Sequence, residues 1–194
     1  FAKQIMERNQ HNVKSFFNHP SIIYWSMGNE TVDGPNFTST YKWIKNTDPS
    51  RPIHWERAVK GANTDIFCPM YRSQADCETY AKSTAPEDQK PLIQCEYNHT
   101  MGNSSGGFKE YWDLVRKYPK YQGGFIWDYI DQSITGKDPF GNDTQYYGGD
   151  FDDSPTDYNF SGNGIVYGGD RDISPKIQAV RYNYRPVDLK IDFD

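Results

Sequence analysis

Apolar and polar positions alternate at several different periods along the chain, and each change of period marks an element. Residues 1–17 place Phe1, Ile5, Val13, Phe16 and Phe17 at roughly helical spacing, with Lys3, Glu7, Arg8 and Lys14 between them. This predicts an amphipathic helix, ended by His19-Pro20. Residues 21–30 (Ser-Ile-Ile-Tyr-Trp-Ser-Met-Gly-Asn-Glu) form an apolar run that closes on polar residues. A run without alternation predicts a strand covered on both faces, as in a parallel sheet. Residues 33–48 read as a loop and then a helix with Phe37, Tyr41 and Ile44 on one face, broken by Asp48-Pro-Ser-Arg-Pro52.

Short apolar runs follow at residues 53–56, 65–71, 91–98 and 123–130, with an Ala-containing helical segment at 76–82. Asn103 or Ser104 is a candidate cap for a helix carrying Phe108, Tyr111, Trp112 and Val115 and stopped by Pro119. Residues 131–172 are rich in Gly and Asp and read as loop. Ser174-Pro175 then opens a helix through about Tyr184. In the tail, Val187, Leu189, Ile191 and Phe193 alternate like a strand entering another domain. No internal repeat or low-complexity tract interrupts the series. Strands joined mainly by helices predict an α/β fold with a parallel sheet. A complete barrel of that type needs about 250 residues and eight strands. The expectation is therefore a partial barrel, roughly its fourth to eighth strands, over residues 1–186, with 187–194 starting a following domain or linker.

Composition narrows the class. The 194 residues carry 21 Lys plus Arg against 26 Asp plus Glu, a net charge of −5, which argues against a nucleic-acid partner. No window approaches the ~18 continuous apolar residues of a membrane span, so no membrane partner is expected. Aromatics make up 16% of the chain while Leu occurs only at 92, 114 and 189. Packing, or a surface that stacks on sugar rings, must therefore come from Tyr, Trp and Phe. Cys68, Cys77 and Cys95 are odd in number and spaced like neither a zinc site nor a disulfide framework. They read as reduced, partly apolar thiols, consistent with a reducing, cytoplasmic compartment.

Two carboxylates stand out by position. Glu30 ends the first predicted strand and Glu96 lies near the end of the fourth. In a parallel α/β barrel the carboxyl ends of the strands open on one face, where the site is built. Paired carboxylates across a pocket are what glycosidic cleavage uses: one protonates the leaving oxygen, the other attacks the anomeric carbon or activates water. The plain alternative is that each Glu is a polar strand end. Asn29, beside the acid, is placed to reach the sugar hydroxyl next to the reacting carbon.

Six motifs in one order then make a specific resemblance: Ile23-Tyr-Trp-Ser-Met-Gly-Asn-Glu30, Asp48-Pro-Ser-Arg-Pro52, Cys68-Pro-Met-Tyr71, Cys95-Glu-Tyr-Asn-His-Thr-Met-Gly-Asn-Ser104, Gln122-Gly-Gly-Phe-Ile-Trp-Asp128 and Tyr147-Gly-Gly-Asp-Phe151. Together they resemble the lac-type β-galactosidases of glycoside hydrolase family 2, which build their site on a (β/α)8 TIM barrel. The resemblance runs from Phe1 to about Tyr184. It implies that Glu30 is the general acid/base and Glu96 the nucleophile of a retaining mechanism. For that outcome the two carboxyl groups stand about 5–5.5 Å apart. It further implies that Tyr71 hydrogen-bonds the nucleophile, that Met70 and Trp127 line the sugar pocket, and that His99 contacts galactose.

The same resemblance implies a magnesium ion near the acid/base with Glu30 as one ligand. It also implies a sodium ion near the galactose, held by the Phe160 carbonyl and the Asn163 amide oxygen. The remaining ligands of both ions belong to upstream sequence. Asp150-Phe-Asp-Asp153 looks like a calcium loop by composition, but the spacing of an EF-hand is absent. The implied partner is a β-galactoside such as lactose, and the implied parent is a homo-oligomer. A departure follows Glu30: where the family commonly has a small residue and then Gly-His-Gly, this chain has Thr31-Val-Asp-Gly34. Asp33 is thus expected to replace a ring on the aglycone side. Two rival readings are a catalytically silent structural or carbohydrate-binding fragment and a family relative with another sugar specificity. A glucuronidase would need a basic feature for the substrate carboxylate, and no such motif is present.

Overall fold

The computed structural model describes residues 1–192, which fall into two compact units. Residues 1–95 with 114–124 form the first, and residues 96–113 with those from 125 onward form the second.

In the first unit, helix α1 (Ala2–Phe16) forms where the helical period predicts it. Its buried residues are Asn9 and Val13, whereas Phe1, Phe16 and Phe17 are exposed. The predicted apolar face is therefore only partly used. Asn9 is buried because its amide donates to the carbonyls of Ile5 (3.0 Å) and Met27 (3.2 Å), tying α1 to the chain after the first strand. That strand, β1 (Trp25–Ser26), is much shorter than the apolar run. Trp25 and Met27 are buried while Ser26 and Gly28 are exposed, so residues 25–28 alternate instead of being covered on both faces, and Ile23 ahead of them is exposed.

Helix α2 (Pro35–Thr47) starts with Pro at its first turn, where no N–H is needed, and buries Phe37, Thr40 and Ile44. β1 pairs in parallel with β2 (Ile53–His54), Trp25 opposite Ile53. Parallel bridges then link His54 to Ile66 and Phe67 to Leu92. Next come helix α3 (Gln74–Lys82), capped by Ser73 accepting from the Asp76 N–H, and β3 (Leu92–Tyr97), which pairs with β4 (Tyr121–Ile126). The core joins Val13, Trp25, Met27, Phe37, Ile44, Ile53, Trp55 and Ala58. Each large side chain of this kind contributes about 1.5–3 kcal/mol through burial. Two Trp supply much of the bulk that the scarce Leu does not.

Asp48-Pro-Ser-Arg-Pro52 is more than a breaker. The buried Asp48 carboxylate accepts from Trp25 Nε1 (2.9 Å), Ser50 Oγ (2.5 Å) and Arg51 Nη1 (2.6 Å). Arg51 also donates to the carbonyls of Ile22, Phe17 and His19, fastening the chain that leads into β1.

In the second unit, Tyr97 is fully buried beside Phe108 and Tyr111, its hydroxyl within 2.8 Å of the Tyr184 hydroxyl and 3.1 Å of the Trp112 indole N–H. Helix α4 (Phe108–Lys117) starts later than a cap at Asn103 or Ser104 predicts. Ser104 Oγ instead donates to the His99 carbonyl at 2.7 Å. Residues 131–172 are not all loop: β5 (Ile134–Lys137) and β6 (Asp143–Tyr146) form an antiparallel hairpin. Its turn is built on Asp138 Oδ1, which accepts from the N–H groups of Phe140 and Asn142, both at 2.8 Å.

Ile130 and Val166 bridge in parallel. Helix α5 (Ile177–Asn183) begins after Ser174-Pro175, because Ser174 Oγ is taken by the Ile165 carbonyl at 2.9 Å. Residues 187–192 form no strand, and Phe193 of the predicted alternation lies outside the described residues.

Candidate active site

The first unit holds Asn29, Glu30, Met70 and Tyr71, each just beyond the carboxyl end of a strand segment. Glu30 follows β1 and is exposed; Met70 and Tyr71 follow the Ile66–Phe67 bridge residues, and Tyr71 is 42% exposed. Glu30 and Tyr71 both have left-handed backbones, with φ of +47° and +49°. For side chains of this size that conformation costs on the order of 1–3 kcal/mol and persists only where its surroundings hold it. The sequence-predicted acid and the predicted tyrosine thus share an unusual local geometry.

Asp33, the departure from the family pattern, is held by hydrogen bonds within the first unit. Its carboxylate accepts from Trp55 Nε1 at 3.1 Å and from Asn63 Nδ2 at 3.0 and 3.1 Å. It is engaged with buried polar groups of the unit.

The second unit holds Glu96, His99, Trp127, Phe160 and Asn163. Glu96 is half-buried near the end of β3. Just after it in the chain, main-chain bonds join the strand ends. The Trp127 N–H donates to the Tyr97 carbonyl (3.2 Å), and the Thr100 N–H to the Trp127 carbonyl (2.7 Å). The Asn163 carbonyl accepts from the Asp128 N–H (2.9 Å) and from Thr100 Oγ1. The His99 ring meets the Phe160 ring edge-on at 5.9 Å. His99 Nδ1 accepts from the Met101 N–H at 3.3 Å, so in the neutral ring the proton sits on Nε2. His99, Trp127, Phe160 and Asn163 are therefore brought into one neighbourhood by the tertiary structure.

Three polar atoms in that neighbourhood are buried without a hydrogen bond: Trp127 Nε1 and both Asn163 side-chain atoms, Oδ1 and Nδ2. Asn163 is fully buried. Each such atom costs about 1–3 kcal/mol unless a ligand, ion or water meets it. An uncommitted amide oxygen is the donor type a hard cation requires, so Asn163 fits the implied sodium. Among the described residues no three His, Cys, Asp or Glu side chains gather as an ion site. Glu30 alone, one carboxylate in no such group among the described residues, does not make up a magnesium site. In the Asp150–Asp153 stretch, the carboxylates of Asp150 and Asp153 accept from the N–H groups of Tyr147 and Gly149.

The loop that carries Phe160 and Asn163 is fixed by two residues the sequence did not single out. Buried Asp131 accepts from the Gly162 N–H (3.0 Å) and the Ser133 N–H (2.9 Å). Lys176 donates to the carbonyls of Thr100, Gly162 and Gly164, and burial lowers its pKa. Asp128, beside Trp127, has its pKa raised by burial, against the N–H groups of Tyr129 and Ile130 that favour its charged form. An Asp after a strand and a Lys after Ser-Pro were visible only as polar residues. Nothing in their spacing indicated a shared loop.

A family model described as "Glycosyl hydrolases family 2, TIM barrel domain" matches residues 1–189. A β-galactosidase from Halalkalibacterium halodurans is 47% identical over 179 residues, 90% of this chain and 17% of its own length. A β-galactosidase from Clostridium acetobutylicum is 45% identical over 191 residues, 97% of this chain and 21% of its own length. The chain thus spans about a fifth of those relatives. Among solved structures, a β-galacturonidase from Eisenbergiella tayi bound to galacturonate superposes with a TM-score of 0.69 at 17% identity, covering 97% of this chain and 37% of that one. At that identity the likeness is one of fold.

Proposed function

The chain belongs to glycosyl hydrolases family 2 as part of its TIM barrel domain, and from that membership we propose that it carries both catalytic carboxylates of a retaining β-galactosidase. The observation that carries the reading is the 47% and 45% identity to two β-galactosidases over 90% and 97% of the chain.

Glu30, protonated, gives its proton to the glycosidic oxygen while the Glu96 carboxylate attacks the anomeric carbon. The carbon–oxygen bond breaks, the aglycone leaves as an alcohol, and the sugar is held as an ester on Glu96. Glu30 then takes a proton from water, whose oxygen attacks the same carbon, releasing galactose and restoring Glu96. Tyr71 donates to Glu96, and Asn29 to the hydroxyl beside the reacting carbon. Met70 and Trp127 line the sugar, and His99 offers Nε2–H to a sugar hydroxyl.

The Phe160 carbonyl and Asn163 Oδ1 would hold part of a sodium site, and the ion would supply positive charge beside the galactose hydroxyls. Lactose is the representative substrate. The 194-residue chain by itself turns over little or nothing, whereas the protein that contains it is active.

The test is covalent. The complete protein, incubated with an activated 2-fluoro-β-galactoside, is expected to gain one sugar mass on the peptide containing Glu96. No adduct, or one on another residue, overturns the assignment. In the same protein Glu30→Gln should lower kcat/KM for lactose by about 10²–10⁴. The first galactose anomer seen by NMR should be β; an α product would exclude retention.

A further inference from the structure

Resting on the reading of Glu30 as the acid/base, we propose that Asp33 and Trp55 are positioning residues, a bracket that holds the backbone of Glu30 in its left-handed conformation. Glu30 is exposed and has φ of +47°. An exposed side chain buries nothing that would offset such a conformation, so the restraint must come from the flanking chain. Residues 28–33 supply it at both ends, and both ends rest on one indole.

Trp55 is fully buried directly after β2, stacked on Phe37 of α2 with ring centroids 4.0 Å apart and planes at 16°. Its six-membered ring lies against Gly28. A Cβ there would stand 3.3 Å from Trp55 Cζ3 and 3.7 Å from Cη2, and Gly28 has φ of +153°. At the other end of the same indole, Nε1 of the five-membered ring donates to Asp33 Oδ1 at 3.1 Å. Asn63 Nδ2 contacts both Asp33 oxygens at 3.0 and 3.1 Å and Thr38 Oγ1 at 3.0 Å, joining the carboxylate to α2. Thr31 Oγ1 donates to the Asn29 carbonyl at 3.0 Å, closing the turn around Glu30 itself. A rigid aromatic plate thus meets the segment at Gly28 and at Asp33, with Glu30 between the two contacts.

If the bracket sets the aim of the acid, loosening it harms proton delivery to the leaving oxygen more than it harms sugar binding. That has a chemical signature. An alkyl or sugar aglycone leaves only with a proton, whereas 2,4-dinitrophenolate leaves without one. The test compares kcat and KM of the complete protein on lactose with the pre-steady-state rate of ester formation from 2,4-dinitrophenyl β-galactoside, because later hydrolysis of the ester also uses Glu30 as base.

Asp33→Ala is expected to lower kcat for lactose by about 30-fold or more while changing the dinitrophenyl rate of ester formation by less than about threefold. KM should change little. Trp55→Phe keeps the stacked ring, deletes the N–H, and should show the same split. Asp33→Asn keeps an acceptor for the indole and should recover most of the lactose activity. Should Asp33→Ala fail to fold, Trp55→Phe and Asp33→Asn carry the comparison.

Equal losses on both substrates, or no loss on lactose, overturn the bracket while leaving the Glu30 and Glu96 assignments standing. Failure of the unsubstituted protein to form the Glu96 ester overturns both.

Discussion

His54 and Asp48 show how burial and hydrogen bonding act in opposite ways on single residues. His54 is buried on β2, Nδ1 within 3.0 Å of Ser26 Oγ and Nε2 without a partner. Burial lowers its pKa from 6.5 to about 4. Between those values the unfolded chain binds the proton that the folded chain refuses, so stability rises with pH across the window. His54 therefore favours the fold fully above about pH 6.5 and withdraws up to about 3 kcal/mol as pH falls towards 4. In His54→Gln the fall in urea midpoint between pH 7 and pH 4.5 should be correspondingly smaller.

Asp48 is the reverse case. Burial pushes its pKa up, but donors from Ser50, Trp25 and Arg51 outweigh that and hold it well below the ordinary carboxylate value of 3.8. Its contribution is present above that value and is lost as pH falls further. Arg51→Ala leaves the carboxylate buried without its cation and should cost about 3–5 kcal/mol in equilibrium unfolding at pH 7. That gap should narrow below about pH 3.8. The ordered motifs that hold Glu30 and Glu96 were legible as a family pattern. The role of Asp33 was not, since a hydrogen bond to Trp55 joins residues 22 apart in the chain.

At the level of elements, strong periodicity was readable and polar pairing was not. α1 and α2 follow their helical spacing, and the strands at 53–54, 92–97 and 121–126 follow their apolar runs. The β5–β6 hairpin escaped because Ile134-Thr-Gly-Lys and Asp-Thr-Gln-Tyr146 lie mostly exposed, with no buried face to impose alternation. The starts of α4 and α5 were displaced because Ser104 and Ser174 give their hydroxyls to distant carbonyls instead of capping.

The loop behind Asn163 shows the tightest such dependence. A Cβ on Gly164 would lie 2.1 Å from the Asp131 backbone nitrogen and 2.3 Å from the Val166 carbonyl oxygen. Backbone cannot yield there as a flexible side chain would. Gly164→Ala should therefore destabilise the protein by about 3 kcal/mol or more, measurable in thermal unfolding.

At the scale of the molecule, the parallel progression from β1 through β2, Ile66–Phe67 and β3 to β4 is that of a barrel sector. Large apolar side chains stay in contact with solvent: Ile23 is 70% exposed, Val32 84%, Phe140 88% and Leu189 84%. Together with open strand edges, such surface favours association. The 194-residue chain prepared alone should self-associate in light scattering, and a monodisperse monomer would count against that expectation.

By itself the sequence determined the α/β class, the parallel order and the family, because local period and ordered motifs are properties of neighbours along the chain. Tertiary structure alone decided that Asp48 and Arg51 fasten the approach to β1, and that Asp131 and Lys176 carry the Asn163 loop. It also decided that Asp33 turns inward to an indole. Each of these depends on which polar group meets which across a fold, and burial makes that pairing obligatory only once the chain has closed on itself.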